Sequence, residues 1–189
     1  MPMPPILEVI DWKSVFESGV GFDAWLEGGE HSDHVERMRA IHTSQELNGG
    51  VLGRLGSIQK DVHVVAIAED WCGDVIRHAP VLQKMCDQSD HLKVRYVTRE
   101  GHPEVFVRFL TNGGEAIPKF IFLSDQFVEC GNWGPMSQVC RDLISRGKAC
   151  GDVASARKKI GELYKNDAAR SEVVDELMGL FLVAGAEAV

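Results

Sequence analysis

The run Val62-His63-Val64-Val65-Ala66-Ile67-Ala68 constrains this chain more than any other stretch. It is nearly continuous in apolar side chains and rich in β-branched ones, so it reads as a central strand buried on both faces. Such a strand needs cover above and below its sheet, which points to a three-layer α/β architecture. The residues that follow, Glu69-Asp70-Trp71-Cys72-Gly73-Asp74-Val75, open a segment in which Val75, Ala79, Leu82 and Cys86 share one helical face. Cys72 therefore stands where a strand ends and a helix begins. Free backbone N–H groups and the helix dipole favour an anion there, which makes Cys72 the leading candidate for chemistry. Asp70 and Asp74 oppose the dipole while Arg77 and His78 assist it, so a moderate lowering of the thiol pKa is expected.

Other elements follow from the same patterns. Leu92 to Thr98 is a second strand, parallel to the first through the intervening helix. Pro103 opens a helix carrying Val105, Phe106, Phe109 and Leu110, stopped by Asn112-Gly113-Gly114. Lys119 to Leu123 and Phe127 to Cys130 form a hairpin around Ser124-Asp125-Gln126. The stripe Met136, Val139, Cys140, Leu143 and Ile144 marks a helix over Ser137 to Arg146, ended by Gly147. Upstream, four apolar sets at helical spacing, beginning at Trp12, Phe22, Val35 and Val51, predict short helices separated by Gly28-Gly29 and Asn48-Gly49-Gly50. Two tail helices, one with Val153, Ala156, Ile160 and Leu163 and one with Val173, Val174, Leu177, Leu180 and Phe181, would cover the core or a partner. The chain thus divides as a single domain over 1–189, with a helical extension at 1–60, an α/β core at 61–147 and C-terminal helices at 148–189.

Trp71-Cys72-Gly73-Asp74-Val75 resembles the Trp-Cys-Gly-Pro-Cys site of the thioredoxin family. Pro80 stands at the family's spacing for the proline that bends the helix, and Ala116-Ile117-Pro118-Lys119-Phe120 resembles its cis-proline element. The resemblance covers residues 60 to 147 and implies a thioredoxin fold with a βαβαββα core. It further implies that the Ile117–Pro118 peptide is cis opposite Cys72, and that Trp71, Gly73, Asp74, Ile117 and Pro118 contact a substrate. Two departures matter. Val75 replaces the second cysteine, and Ala66 occupies the place of the buried aspartate that serves it. A valine cannot attack a mixed disulfide, so the dithiol cycle is lost. The family's glycine after the last strand corresponds to Gly131 or Gly134; in the first case Cys130 approaches Cys72 and becomes a candidate resolving thiol.

Composition narrows the function classes. With 44% hydrophobic residues in 189, the chain is long enough for one well-packed core. Its net charge of -8 and the lack of a basic block argue against a nucleic-acid partner. The start Met1-Pro2-Met3-Pro4-Pro5-Ile6-Leu7-Glu8 lacks a signal-peptide pattern, and no apolar run is long enough to span a membrane, so a soluble cytoplasmic protein is expected. Five irregularly spaced cysteines suggest reduced thiols, with Cys72 the fastest to alkylate. No cofactor or metal is expected: close cysteine pairs are lacking, and His31, His34 and His42 read as solvated helix residues.

Two functions compete. One is a single-cysteine thiol-disulfide redox protein acting through Cys72 on protein thiols, disulfides or a small thiol. The other is a protein-binding module that uses the groove around Pro118 without turnover.

Overall fold

The structure is a computed structural model that describes residues 8–111, 113–167 and 170–186. The amino-terminal residues 1–7 read above for targeting signals, and Asn112 of the expected helix stop, lie outside the described residues.

The strands are β1 (Val62–Ile67), β2 (Leu92–Val97), β3 (Lys119–Leu123) and β4 (Glu129–Trp133), in the order β2-β1-β3-β4. β1 runs parallel to β2 and antiparallel to β3, and β3 runs antiparallel to β4. Every residue of β1 and of β3 is buried. The mixed sheet and its central strand match the reading of the sequence, with β4 starting two residues later than expected.

Four short helices come first, α1 (Trp12–Ser18), α2 (Phe22–Glu27), α3 (Ser32–Ser44) and α4 (Gly49–Gly56). Asn48 caps α4 by accepting from the Val51 amide, and Asp11 caps α1 through the Ser14 amide. These helices share the hydrophobic core of the sheet, contributing among others Trp12, Phe16, Leu26, Met38 and Leu55. Val20 forms a β-bridge with Tyr96, so the extension also occupies the outer edge of β2. Between β2 and β3 the chain makes only one helical turn, α6 (Pro103–Phe106), continued by a 3-10 turn over Val107–Phe109, while Leu110 stays exposed.

α5 (Gly73–Cys86) follows β1 and packs on the face carrying Tyr96, whose hydroxyl donates to the Ala79 carbonyl. The same face presents Phe122, and Phe122 meets Phe181 edge-on at 5.0 Å. Phe181 belongs to α9 (Ser171–Ala184), which buries Val173, Val174, Leu177, Met178, Phe181 and Ala184. α9 therefore closes the core over β3 and β4. This corrects the expectation that the helix after the last strand does so. α7 (Gln138–Ala149) buries only Cys140 and Gly147, its Val139 is exposed, and it pairs instead with α8 (Val153–Asn166). A Cβ on Gly147 would lie 2.8 Å from that of Ala156, which shows how closely the two helices cross. The core thus does not end at 147: α7 and α8 form a hairpin inserted before the closing helix. Glu176 of α9 holds its base, accepting from the Trp133 indole at 2.5 Å and the Gln138 amide at 2.8 Å.

Two X-Pro peptides are cis, Ile117–Pro118 and Gly134–Pro135. They meet, because Gly134 packs against the Pro118 carbonyl with a φ of +120°. A Cβ there would lie 2.0 Å from that oxygen, whereas Gly131 sits within β4 against Leu180. Gly134 is therefore the glycine that the proline loop requires. Gly134→Ala is expected to cost about 3 kcal/mol or more, through the forbidden contact and the positive φ together. Urea unfolding of the two proteins checks this, and a loss under about 1 kcal/mol would contradict it.

Candidate functional site

Cys72 is the N-cap residue of α5, placed at the carboxyl end of β1 by the turn Glu69-Asp70-Trp71. Both carboxylates of that turn are held by other elements. Glu69 accepts from the backbone and side chain of Arg99 at 3.2 and 3.1 Å, and the Arg99 guanidinium lies 5.3 Å from the Trp71 ring. Asp70 accepts from the His31 amide at 2.7 Å, the His31 ring lies 3.2 Å from the same oxygen, and the His34 ring reaches the Asp70 carbonyl at 2.9 Å. Burial alone would raise the Asp70 carboxyl, but these His31 bonds outweigh it and leave its pKa lowered. His31 and His34 are thus fasteners between α3 and the cysteine loop, and His42 is bonded to Asp87 at 2.6 Å. None is simply solvated, and no metal-binding cluster occurs among the described residues.

The Cys72 thiol is half-buried and donates to the Ile117 carbonyl at 3.4 Å. Burial pushes its pKa up. The Val75 and Asp74 amides pull the other way, and the charges of Asp74 and Glu69 add to the rise. The expected lowering is thereby reversed: desolvation and two nearby carboxylates outweigh the helix end. Trp71 and Gly73 are exposed beside the thiol, whereas Pro118 is buried behind Ile117. The structure brings Trp71, Cys72, Gly73, Asp74, Ile117 and Pro118 together. It does not bring in Cys130, which adjoins Gly131; Gly131 pairs with Phe122 and Phe122 with Val64. That level is three residues, about 10 Å, down β1 from Ile67, with Cys72 further beyond the strand's end. A disulfide needs Cα atoms within about 7 Å, so Cys130 is not a resolving thiol for Cys72. Its Sγ instead donates to the Val128 carbonyl.

Asp74 points toward α8, where the Tyr164 hydroxyl donates to it at 3.3 Å and also lies 3.3 Å from His78 Nε2. Burial raises the Asp74 carboxyl, with Tyr164 and Arg77 offsetting part of the rise. Arg77 stacks over the Tyr164 ring at 4.0 Å and donates to the Asp167 carbonyl. No local signal in the sequence marks Tyr164 as a partner of Asp74, ninety residues away.

A cleft of about 650 Å³ opens from Cys72 and Trp71, past Thr111 and Ile117, to the α7–α8 hairpin. Its far wall includes Arg141, Ile144, Lys148, Val153, Arg157 and Ile160. A single thiol at a helix start, facing a cis-proline loop at one end of a mixed four-stranded sheet, defines a thioredoxin-like protein. A family model described as thioredoxin (Thioredoxin_9) matches residues 19–156, and the chain belongs to that family. The fold is shared with a protein of unknown function, PA1234, from Pseudomonas aeruginosa: 15% identity over 91% of this chain and 97% of that one, with a TM-score of 0.70. An HIV epitope-scaffold structure is similar to the same degree, at 14% identity over 94% of this chain and 100% of the other, with a TM-score of 0.70. No curated protein matches the chain. No helix among the described residues is long and apolar enough to cross a membrane.

Cys150 is the exposed thiol of the five, and Cys86 and Cys140 are buried. Burial raises the thiols of Cys86, Cys130 and Cys140 as it does Cys72. Brief iodoacetamide treatment at neutral pH should therefore label Cys150 first, with Cys72 labelling gaining on it as pH rises. Peptide mapping checks the order, and Cys72 labelled ahead of Cys150 at pH 7 would contradict it.

His78 is fully buried, and burial first, then the charges of Arg77 and Arg170, lowers its pKa to about 3. The unfolded chain takes up a proton near pH 6.5 that the folded one refuses, so stability falls as pH drops from 6.5 toward 3. At pH 5 the loss from this group is about 2 kcal/mol. Denaturation of the native protein and His78→Gln at pH 7 and pH 5 should show the variant losing about 2 kcal/mol less; equal losses would contradict it.

Proposed function

We propose that the protein is a single-cysteine thiol-disulfide exchange protein acting through Cys72. The observation that carries this reading is the placement of the Cys72 sulfur 3.4 Å from the Ile117 carbonyl, beside the cis-proline and at the opening of a substrate-sized cleft. In the exchange step the Cys72 thiolate attacks one sulfur of a substrate disulfide. A new S–S bond forms to Cys72 as the old one breaks, and the departing sulfur leaves as a thiolate that takes up a proton. Cys72 is oxidised to the mixed disulfide while half of the substrate is reduced to a thiol. Release requires a second thiol. Val75 is buried where the family carries one, so the releasing thiol comes from outside the chain. Trp71 and Gly73 offer exposed surface beside the sulfur, Asp74 and Ile117 line the cleft where a substrate rests, and Pro118, buried behind, shapes the turn that carries Ile117.

Five unpaired cysteines suit a reducing, cytoplasmic setting, and the partners are protein thiols or disulfides, or a small thiol. A second reading, a protein-binding module without turnover, is favoured by the burial that pushes the Cys72 thiol up. Insulin with a thioredoxin reductase system separates the two. Without added small thiol the native protein should stall with insulin attached to Cys72, and mass spectrometry should find the adduct, absent from Cys72→Ser. Adding a small thiol should restore turnover. No adduct at any pH up to 9 would sink the redox reading in favour of binding, and rapid turnover without added thiol would contradict the single-cysteine step.

A further inference from the structure

The cleft at Cys72 is asymmetric in charge, and the asymmetry comes from the inserted hairpin. On the Cys72 side Glu115 is paired with Arg99 at 2.7 Å and Asp74 accepts from Tyr164, whereas the α7–α8 wall carries three cations, Arg141, Lys148 and Arg157, against one carboxylate, Asp142, which accepts from the uncharged Gln138 amide at 2.7 Å. Its cations are not neutralised. Arg141 donates to the Met136 carbonyl and to Gln138 Oε1, both uncharged acceptors, while Lys148 and Arg157 have neither hydrogen bond nor ion pair among the described residues. Lys119 stands behind Thr111, its ammonium bonded to the Thr111 hydroxyl and the Gly134 carbonyl at 2.8 Å each and close enough to Arg141 to feel its charge. A chain with net charge -8 thus carries an excess of positive charge along the wall facing its nucleophile. The wall has depth as well as charge. α7 begins beside the cis-proline, and from Gln138 to Lys148 it runs about 15 Å at 1.5 Å per residue. Ile144, Val153 and Ile160 supply apolar surface between the cations. A volume of about 650 Å³ lies within the range of small-molecule sites rather than that of a flat protein interface.

We infer that the cleft between Cys72 and the α7–α8 hairpin binds a low-molecular-weight thiol or disulfide bearing carboxylates, which Arg141, Lys148 and Arg157 hold while its sulfur faces Cys72. The inference rests on the exchange reading and specifies its substrate. The bound disulfide R–S–S–R gives Cys72–S–S–R and one molecule of R–SH, with the proton lost by Cys72 carried off on that thiol. With a symmetric disulfide a second R–SH only reverses this step; net turnover follows when Cys72 takes R from a mixed disulfide P–S–S–R and releases P–SH, after which R–SH regenerates the Cys72 thiol and leaves as R–S–S–R, so the ligand class also supplies the releasing thiol that the chain lacks.

The experiment compares three disulfide probes on the full chain carrying Cys150→Ser: glutathione disulfide (anionic), 2-hydroxyethyl disulfide (neutral) and cystamine (cationic). The rate of adduct formation at Cys72 is followed by peptide mass spectrometry, with and without Lys148→Gln and Arg157→Gln together. Intrinsic differences between probes cancel when the anionic-to-cationic rate ratio in the parent is divided by that in the double variant. That quotient should be about tenfold at low salt and should shrink toward one at 0.5 M salt, as for exposed charges acting across a cleft. In parallel, glutathione sulfonate, which cannot exchange, should bind Cys72→Ser saturably by calorimetry, and the double variant should weaken it at least fivefold. Exchange at Cys72 with a quotient near one leaves the redox reading standing and overturns the ligand class. Adducts with insulin but with none of the three small probes overturn it as well. No adduct with any disulfide overturns the redox reading; the sulfonate then decides the wall by itself, and failure to bind removes the anion site.

Discussion

A sheet buried on both faces must be covered on both, and the helix that wins the place over β3 and β4 determines what the rest of the carboxyl-terminal chain is free to do. Both α7 and α9 carry an apolar stripe. α9 buries Val173, Val174, Leu177, Met178 and Phe181, a transfer gain of roughly 10 kcal/mol at about 2 kcal/mol per large apolar side chain, before chain entropy is subtracted. α7 intersperses its stripe with Arg141, Asp142, Arg146 and Lys148, and buries little beyond Cys140. With α9 on the sheet, α7 and α8 are left to pack on each other beside the site. The cleft at Cys72 is therefore a by-product of core packing: its far wall consists of the helices that the core did not take.

The chemistry of Cys72 follows from a second contest. A helix N-terminus stabilises a nearby anion by about 0.3–1 kcal/mol at exposed positions and up to about 2 kcal/mol in partly buried ones. Against this stand the desolvation of a half-buried sulfur and the negative charges of Asp74 and Glu69. Desolvation wins. The S–H also has an acceptor of its own in the Ile117 carbonyl, a bond that stabilises the protonated form. The groove that positions the sulfur for exchange is thus also what keeps it a thiol.

Much of this was legible in the sequence because it is local. The β-branched run of β1, the strand-to-helix junction at Cys72 and the apolar sets of the first four helices are patterns within short windows, and the structure has each in place. What the sequence did not reveal depends on competition or on distance. Nothing local says that α9 rather than α7 closes the core; the density of charged residues in α7 was the available signal. The pairs His31–Asp70 and Asp74–Tyr164 join residues 39 and 90 positions apart, and either histidine or tyrosine alone looks like an ordinary helix residue. The place of Cys130 stays open in the sequence for a related reason: its distance from Cys72 depends on whether Gly131 or Gly134 meets Pro118, and that is settled by the register of β4 on β3.

At the position where the family carries an aspartate this chain has Ala66. Ala66 is fully buried and inert, yet a partly buried carboxyl has not vanished from the site. Asp74 supplies one from the other side of Cys72, and burial raises its pKa as it raises that of the thiol. A negative Asp74 disfavours a second negative charge beside it, so it adds to the rise that burial imposes on the Cys72 thiol. Tyr164 and Arg77 favour the charged form of Asp74, and a charged Asp74 holds back the thiolate. Because Tyr164 belongs to α8, the hairpin acts on the sulfur through an intermediary: the tyrosine hydroxyl stabilises the carboxylate that restrains Cys72.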